Sequence, residues 1–89
     1  MKPLYLEVTY RSGRAVAAYL RLPGRPVERP TRSEHFGDGL IVDFTAGGRA
    51  VGVEITAPTL FDVDKLNQVL NRVGRAPVSK ADVAPISAV

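Results

Sequence analysis

Apolar side chains recur along this chain with two periods, and the change from one to the other divides it. Leu4, Leu6, Val8 and Tyr10 alternate with Tyr5, Glu7, Thr9 and Arg11. A period of two is that of a half-buried strand. Ser12-Gly13-Arg14 reads as a turn, and Ala15 to Leu22 as a second strand. A three-residue loop with glycine at or near the left-handed position sets Leu6 opposite Leu20 and Val8 opposite Ala18. Pro23-Gly24-Arg25-Pro26 ends this strand, because proline has no N–H to give a ladder. Val27 to Arg32 is a candidate third strand that Pro30 restricts to an edge or an irregular segment. Ser33 to Gly39 reads as a polar connection.

Asp38 to Thr56, DGLIVDFTAGGRAVGVEIT, predicts a hairpin whose register follows from the letters. Gly47-Gly48 suits a two-residue type I′ turn, which needs φ > 0 at both central positions. Pairing Ala46 with Arg49 sets Phe44 against Val51, Val42 against Val53 and Leu40 against Ile55, all on one apolar face. The other face receives Asp43 opposite Gly52 and Ile41 opposite Glu54. A slip of one residue would bury both carboxylates, so the burial pattern and the turn chemistry agree.

The period then lengthens. Val63, Leu66, Val69, Leu70 and Val73 fall on one helical stripe. Asp62 is a good N-cap, and Phe61 with Leu66 suits a hydrophobic staple. Asp64 and Arg72 lie at the helix ends that favour their charges. Gly74 stops the helix and Pro77 follows. Ser79 to Ala84 is readable as one short helical turn, capped by Ser79 with Asp82 at its third position and closed by Pro85. The predicted fold class is α+β: an antiparallel β-meander sheet of four to five strands with one C-terminal helix on its apolar face. Residues 1–57 form the sheet, 58–61 a connection, 62–73 the helix and 74–89 a tail.

Composition narrows what such a fold can do. Eighty-nine residues make one domain near the low end for a self-sufficient core. The absence of cysteine removes disulfides and cysteine-based zinc sites. Small domains without such staples often gain stability by oligomerising. No apolar run reaches the length of a membrane span, and the alternating N-terminus is not a signal-peptide core, so a cytoplasmic, bacterial-type protein is the expectation. The net charge of +3 hides an asymmetry: residues 1–33 carry seven basic and two acidic side chains, residues 34–64 one and six. That pattern suits basic and acidic strands meeting in one sheet or across a dimer, and it also leaves a basic hairpin able to meet phosphate.

Few residues carry candidate chemistry. Asp43 and Glu54 stand diagonally across the hairpin, about 7–8 Å apart, with Gly52 leaving a gap beside them. They suit a weak Mg²⁺ or Ca²⁺ site or an acid/base pair, or simply a solvated face balanced by Arg21 or Arg49. His35, the single histidine, has Ser33 and Glu34 beside it but no nucleophile-elbow context. Both glycine-rich sites, Gly37 to Gly39 and Gly47-Gly48, lead into strands and so read as turns, not as phosphate cradles. Arg11, Arg14, Arg21, Arg25, Arg29 and Arg32 interleave with Tyr5, Tyr10 and Tyr19, but alternation leaves only Tyr5 and Tyr19 on the polar face to stack on bases.

AAYLRLPGRP, then DGLIVDFTAGGRAVGVEIT, then a helix carrying LNQVL resemble the bacterial family called domain of unknown function twenty-two eighty-three. The resemblance runs from about Leu4 to Thr56, and in longer members to about Ala84. It implies a small β-rich domain with no activity, cofactor or catalytic residue to carry over. Some members look like partner halves of small toxin–antitoxin pairs, which implies binding over catalysis. Where many members have an acidic first turn, this chain has TYRSGRAVA. The expectation is therefore a non-enzymatic interaction module that forms a homodimer and takes a small toxin-like protein partner. It pairs through sheet edges or through a face that holds Tyr5, Tyr19, Arg21, Asp43 and Glu54, and it uses no cofactor or metal. Two alternatives stay open: binding of nucleic acid or another anion through the basic hairpin, and a metal-dependent enzyme using Asp43 and Glu54.

Overall fold

The computed structural model describes residues 3–24 and 29–87. The strands are β1 (Tyr5–Arg11), β2 (Arg14–Arg21), β3 (Arg32–His35), β4 (Leu40–Phe44) and β5 (Ala50–Ile55). The helices are α1 (Val63–Arg72) and α2 (Ala84–Ser87), each preceded by a turn of 3₁₀ helix, at Pro58–Leu60 and Ala81–Val83. All five strands form one antiparallel sheet in the order β1-β2-β5-β4-β3. The fold is thus α+β, an open sheet with a helix on its apolar face. Consecutive strands are neighbours within β1-β2 and within β3-β4-β5. The two runs join through β2 and β5, so β3 lies at the far edge instead of beside β2.

The hairpin registers follow the apolar alternation, with one bulge in each. Leu6 faces Leu20 and Val8 faces Ala18. Leu40 faces Ile55, Ile41 faces Glu54, Val42 faces Val53 and Asp43 faces Gly52. Nearer the turns the expected pairing fails. Phe44 faces Ala50, not Val51, and Ala50 and Phe44 are both buried while Val51 is half-buried. The turn explains the shift. Gly48 alone has positive φ, at +88°, so the loop is Ala46-Gly47-Gly48 and not a type I′ pair. The Gly48 N–H donates to the Thr45 carbonyl and the Thr45 N–H to the Arg49 carbonyl, both at 2.9 Å. The first hairpin does the reverse. Arg11 pairs with Arg14 across a two-residue turn, with Ser12 at φ +53° and Gly13 at +78°, the geometry of type I′. A bulge between Thr9 and Tyr10 then restores the expected register.

The third strand also differs from expectation. It runs over Arg32–His35, sharing only Arg32 with the expected strand and lying otherwise in the stretch read as a polar connection, and every residue in it is exposed. RSEH has no apolar alternation to signal a strand. Among the described residues its one strand neighbour is β4, and the pairing is continued by the Thr31 N–H to the Phe44 carbonyl at 2.8 Å. Val27 and Glu28, where the strand was expected to begin, lie outside the described residues, as do Arg25 and Pro26.

The helix is specified at both ends. The Asp62 carboxylate accepts the Asp64 N–H at 2.8 Å. At the other end Gly74 has φ +77°, its N–H donates to the Asn71 carbonyl, and the Arg75 N–H donates to the Leu70 carbonyl at 2.8 Å. That pair of bonds is a Schellman motif. Leu66, Val69 and Leu70 face inward and join Leu20, Val42, Val53 and Ile55 in one core. The following segment completes it with Val78, Val83 and Ile86. Asn67 of α1 ties that segment down: its Nδ2 donates to the Val78 carbonyl at 3.0 Å, and its Oδ1 accepts the Val78 N–H at 2.8 Å. Ser79 and Asp82 exchange side-chain to backbone bonds at 2.9 and 3.1 Å, a capping box. Pro85 does not close the helical turn but sits second in α2, where its missing N–H costs nothing.

Candidate functional site

The sheet has a covered face and a bare one, and the pairing of all five strands orders the bare face into two rungs. One rung runs Tyr5, Arg21, Gly52, Asp43, Ser33 from β1 to β3. The next runs Glu7, Tyr19, Glu54, Ile41, His35. The five side chains expected to form an interaction face, Tyr5, Tyr19, Arg21, Asp43 and Glu54, therefore do share one face, within two adjacent rungs.

Asp43 is the centre of this face, and it is engaged. The Tyr19 hydroxyl donates to Asp43 Oδ2 at 2.9 Å, and the Ser33 hydroxyl donates to Oδ1 at 2.6 Å. Tyr19 stands on the diagonal from Gly52, and its ring lies directly over that glycine. A Cβ at position 52 would overlap the Tyr19 hydroxyl and Cζ and come 2.9 Å from Cε2. The gap that Gly52 leaves is therefore filled by a tyrosine instead of standing open to a ligand. An aromatic ring laid across a strand glycine restores the packing that its missing side chain forgoes.

The electrostatics follow from that contact. The Tyr19 phenol is pushed up from 10.0 to about 12, first by burial, then by its hydrogen bond to Asp43 and the negative charge there. It stays protonated as a donor at neutral pH and cannot act as a base. Asp43 accepts one hydroxyl on each oxygen, and Glu54 stands opposite Tyr19. Among the described residues no group of three or more His, Asp or Glu side chains is placed to hold a metal ion. Ser33 donates to Asp43, not to His35, which removes the one hydroxyl–imidazole pairing that the sequence raised.

The arginines are dispersed. Arg11 and Arg14 face each other at the tip of the first hairpin, and Arg21 lies mid-face. Arg32 sits at the opposite edge of the sheet, its guanidinium 4.3 Å from the Phe44 ring centroid and bonded to Glu34. Arg72 reaches from α1 over Phe36, 5.3 Å from the ring centroid. Among the described residues, the basic side chains named here do not line up in one stripe.

The two edges of the sheet differ in a way that the letters do not display. On β3, Arg32 and Glu34 pair with Phe44 and Val42, so both charges stand on the core side of the strand. On β1 the core side carries Leu6 and Val8, half-buried against the core, and Tyr10, whose hydroxyl donates to the Pro85 carbonyl at 2.9 Å. Among the described residues no strand pairs with the outer edge of β1. No helix among them is long and apolar enough to cross a membrane.

Residues 16–57 match the model of the family described as Protein of unknown function (DUF2283). The resemblance begins at Val16 and ends at Ala57, a narrower span than the motifs suggest. It takes in Tyr19, Ser33, Asp43 and Gly52, and leaves β1 and α1 outside. No curated protein and no solved structure matches the chain.

Proposed function

We propose that this chain, which over residues 16–57 resembles a family with no assigned activity, is a non-enzymatic interaction module. Its partner is a second copy of itself, paired along the free edge of β1. The observation that carries the reading is the contrast between the two edges. Open sheets guard their edges with short strands, inward-pointing charges, proline or covering segments. Strand β3 is four residues long and carries Arg32 and Glu34 on its inward side. Strand β1 is seven residues long, with no proline and no inward charge. Such an edge is a template for another strand, with main-chain bonds for affinity and alternate side chains for specificity. Pairing there would also cover Leu6 and Val8, which the monomer leaves half-exposed.

A non-enzymatic role accords with the way the acids on the bare face are used. Asp43 is held by two hydroxyls, and the phenol beside it is poised as a donor. Light scattering behind size exclusion, over a concentration series, tests the reading. A dimer that gives way to monomer on dilution is expected. A monomer at every concentration overturns it.

A further inference from the structure

We infer that two copies meet with the two-fold axis passing through Val8, so that β1 of each lies antiparallel to β1 of the other over its whole length. The inference rests on the self-pairing reading and goes on to fix the register.

A two-fold axis perpendicular to the sheet keeps the bare face of both copies on the same side. Opposed residues in an antiparallel pair also share a face. The axis must therefore pass through one residue and its own copy, never between two residues, so that only a few registers remain. An axis at Glu7 sets two carboxylates directly opposite one another, which is unfavourable. An axis at Leu6 or Tyr10 pairs only the ends of the strand. An axis at Thr9 opposes Glu7 with Arg11, a favourable pair, but leaves Tyr5 and Leu6 unmatched.

An axis at Val8 pairs all seven residues of β1. On the core side Val8 meets Val8 of the second copy, and Leu6 meets Tyr10. On the bare side Glu7 meets Thr9, and the Tyr5 ring, 56% exposed in the single chain, meets the Arg11 guanidinium. Cross-strand aromatic and aliphatic neighbours of this kind favour a register, and an arginine over a tyrosine adds a cation–π contact. Arg11 of the second copy also comes diagonally across from Glu7. The first hairpin tip has Arg11 and Arg14 opposed as like charges, and Tyr5 and Glu7 of the second copy are the groups that relieve them. The two sheets then become one of ten strands, ending on a guarded β3 at each side.

The absence of cysteine makes the register directly readable. Directly opposed residues have Cα atoms about 4.5–5.5 Å apart, within the roughly 4.4–6.8 Å that a disulfide spans. In the Val8 register Thr9 lies about 7 Å along the strand from Thr9 of the second copy, and Leu6 about 13 Å from its own. Single variants Val8→Cys, Leu6→Cys and Thr9→Cys are oxidised under mild conditions and resolved on a non-reducing gel, with circular dichroism confirming that each is folded. Val8→Cys is expected to cross-link at least about tenfold faster than the other two. A dimeric wild type whose strongest cross-link falls at Leu6 or Thr9, or at none of the three, overturns the register and leaves self-pairing standing. A monomeric wild type in light scattering removes self-pairing and the register together.

Discussion

Replacing Gly52 by alanine tests whether Tyr19 is what that glycine exists to admit. An added methyl overlaps the Tyr19 ring, and Cε2 is 2.9 Å away. The backbone is fixed between β2 and β4, so the ring must swing off. The hydrogen bond to Asp43 goes with it. A bond to a charged group contributes roughly 1.5–3 kcal/mol when buried, and about 1 kcal/mol at this half-exposed position. Re-exposing about 50 Å² of ring costs a further ~1.2 kcal/mol. Against these stands the intrinsic advantage of alanine over glycine in a strand, about 0.5–1 kcal/mol. The net expectation is a destabilisation of about 1.2–1.7 kcal/mol. For a domain of this size that is a fall in Tm of roughly 5–14 °C. The informative comparison is a double-mutant cycle by urea unfolding. In a Tyr19→Ala background the clash has no object, and Gly52→Ala should stabilise by about 0.5–1 kcal/mol. The coupling between the two positions is then about 2 kcal/mol. If Gly52→Ala is as harmful without Tyr19 as with it, or stabilises the wild type, the account of the ring over the glycine is wrong.

Three further expectations come from other parts of the fold. The Tyr19 phenol, raised from 10.0 to about 12 in the folded state, favours the protonated form; its contribution is complete below pH ~10 and is lost as pH rises through about 12, which ultraviolet titration of phenolate against Tyr19→Phe will register, and a Tyr19 midpoint near 10 would contradict the burial. Asn67→Ala strands both polar groups of the Val78 backbone and should cost about 2 kcal/mol, with hydrogen exchange at Val83 and Ile86 speeding more than at Val42; uniform speeding would show that the bonds do not act locally. Gly39→Ala combines φ +75° with a methyl 2.9 Å from the Ala57 Cβ and should cost about 2–4 kcal/mol, whereas Gly48→Ala, with φ +88° and open space around it, should cost only about 1–2 kcal/mol; equal losses in thermal unfolding would mean that the close approach is unimportant.

Much of the fold could be read from the letters because burial and register are one problem in a half-covered sheet. Leu40, Val42, Val53 and Ile55 can all be buried in only one pairing, so that pairing was legible. The turns were not, because Ser12-Gly13 and Gly47-Gly48 each allow more than one loop, and a bulge absorbs the residue of difference. Strand β3 was illegible since an edge strand with both sides wet needs no apolar alternation. For the bare face, alternation placed Tyr5, Tyr19, Arg21, Asp43 and Glu54 together. It did not show that Tyr19 reaches across to Asp43, although a strand glycine diagonal to a tyrosine is the signal that would have found it. Ser33 was missed as a partner of Asp43 because its strand was missed.

The bond from the Tyr10 hydroxyl to the Pro85 carbonyl spans most of the chain, and it sets an order on synthesis. A ribosome releases β1 and β2 first, yet the core beneath them is closed by Val83 and Ile86, which emerge seventy residues or so later. Until then the hairpin can pair with β5 through Ala18 to Arg21, but its apolar side lacks the cover that Val83 and Ile86 complete. The first hairpin therefore keeps part of its apolar side open until residues 83–86 have emerged, so conditions that slow elongation across this stretch should raise the fraction lost to aggregation, and a chaperone that shields apolar strands should act on the first hairpin.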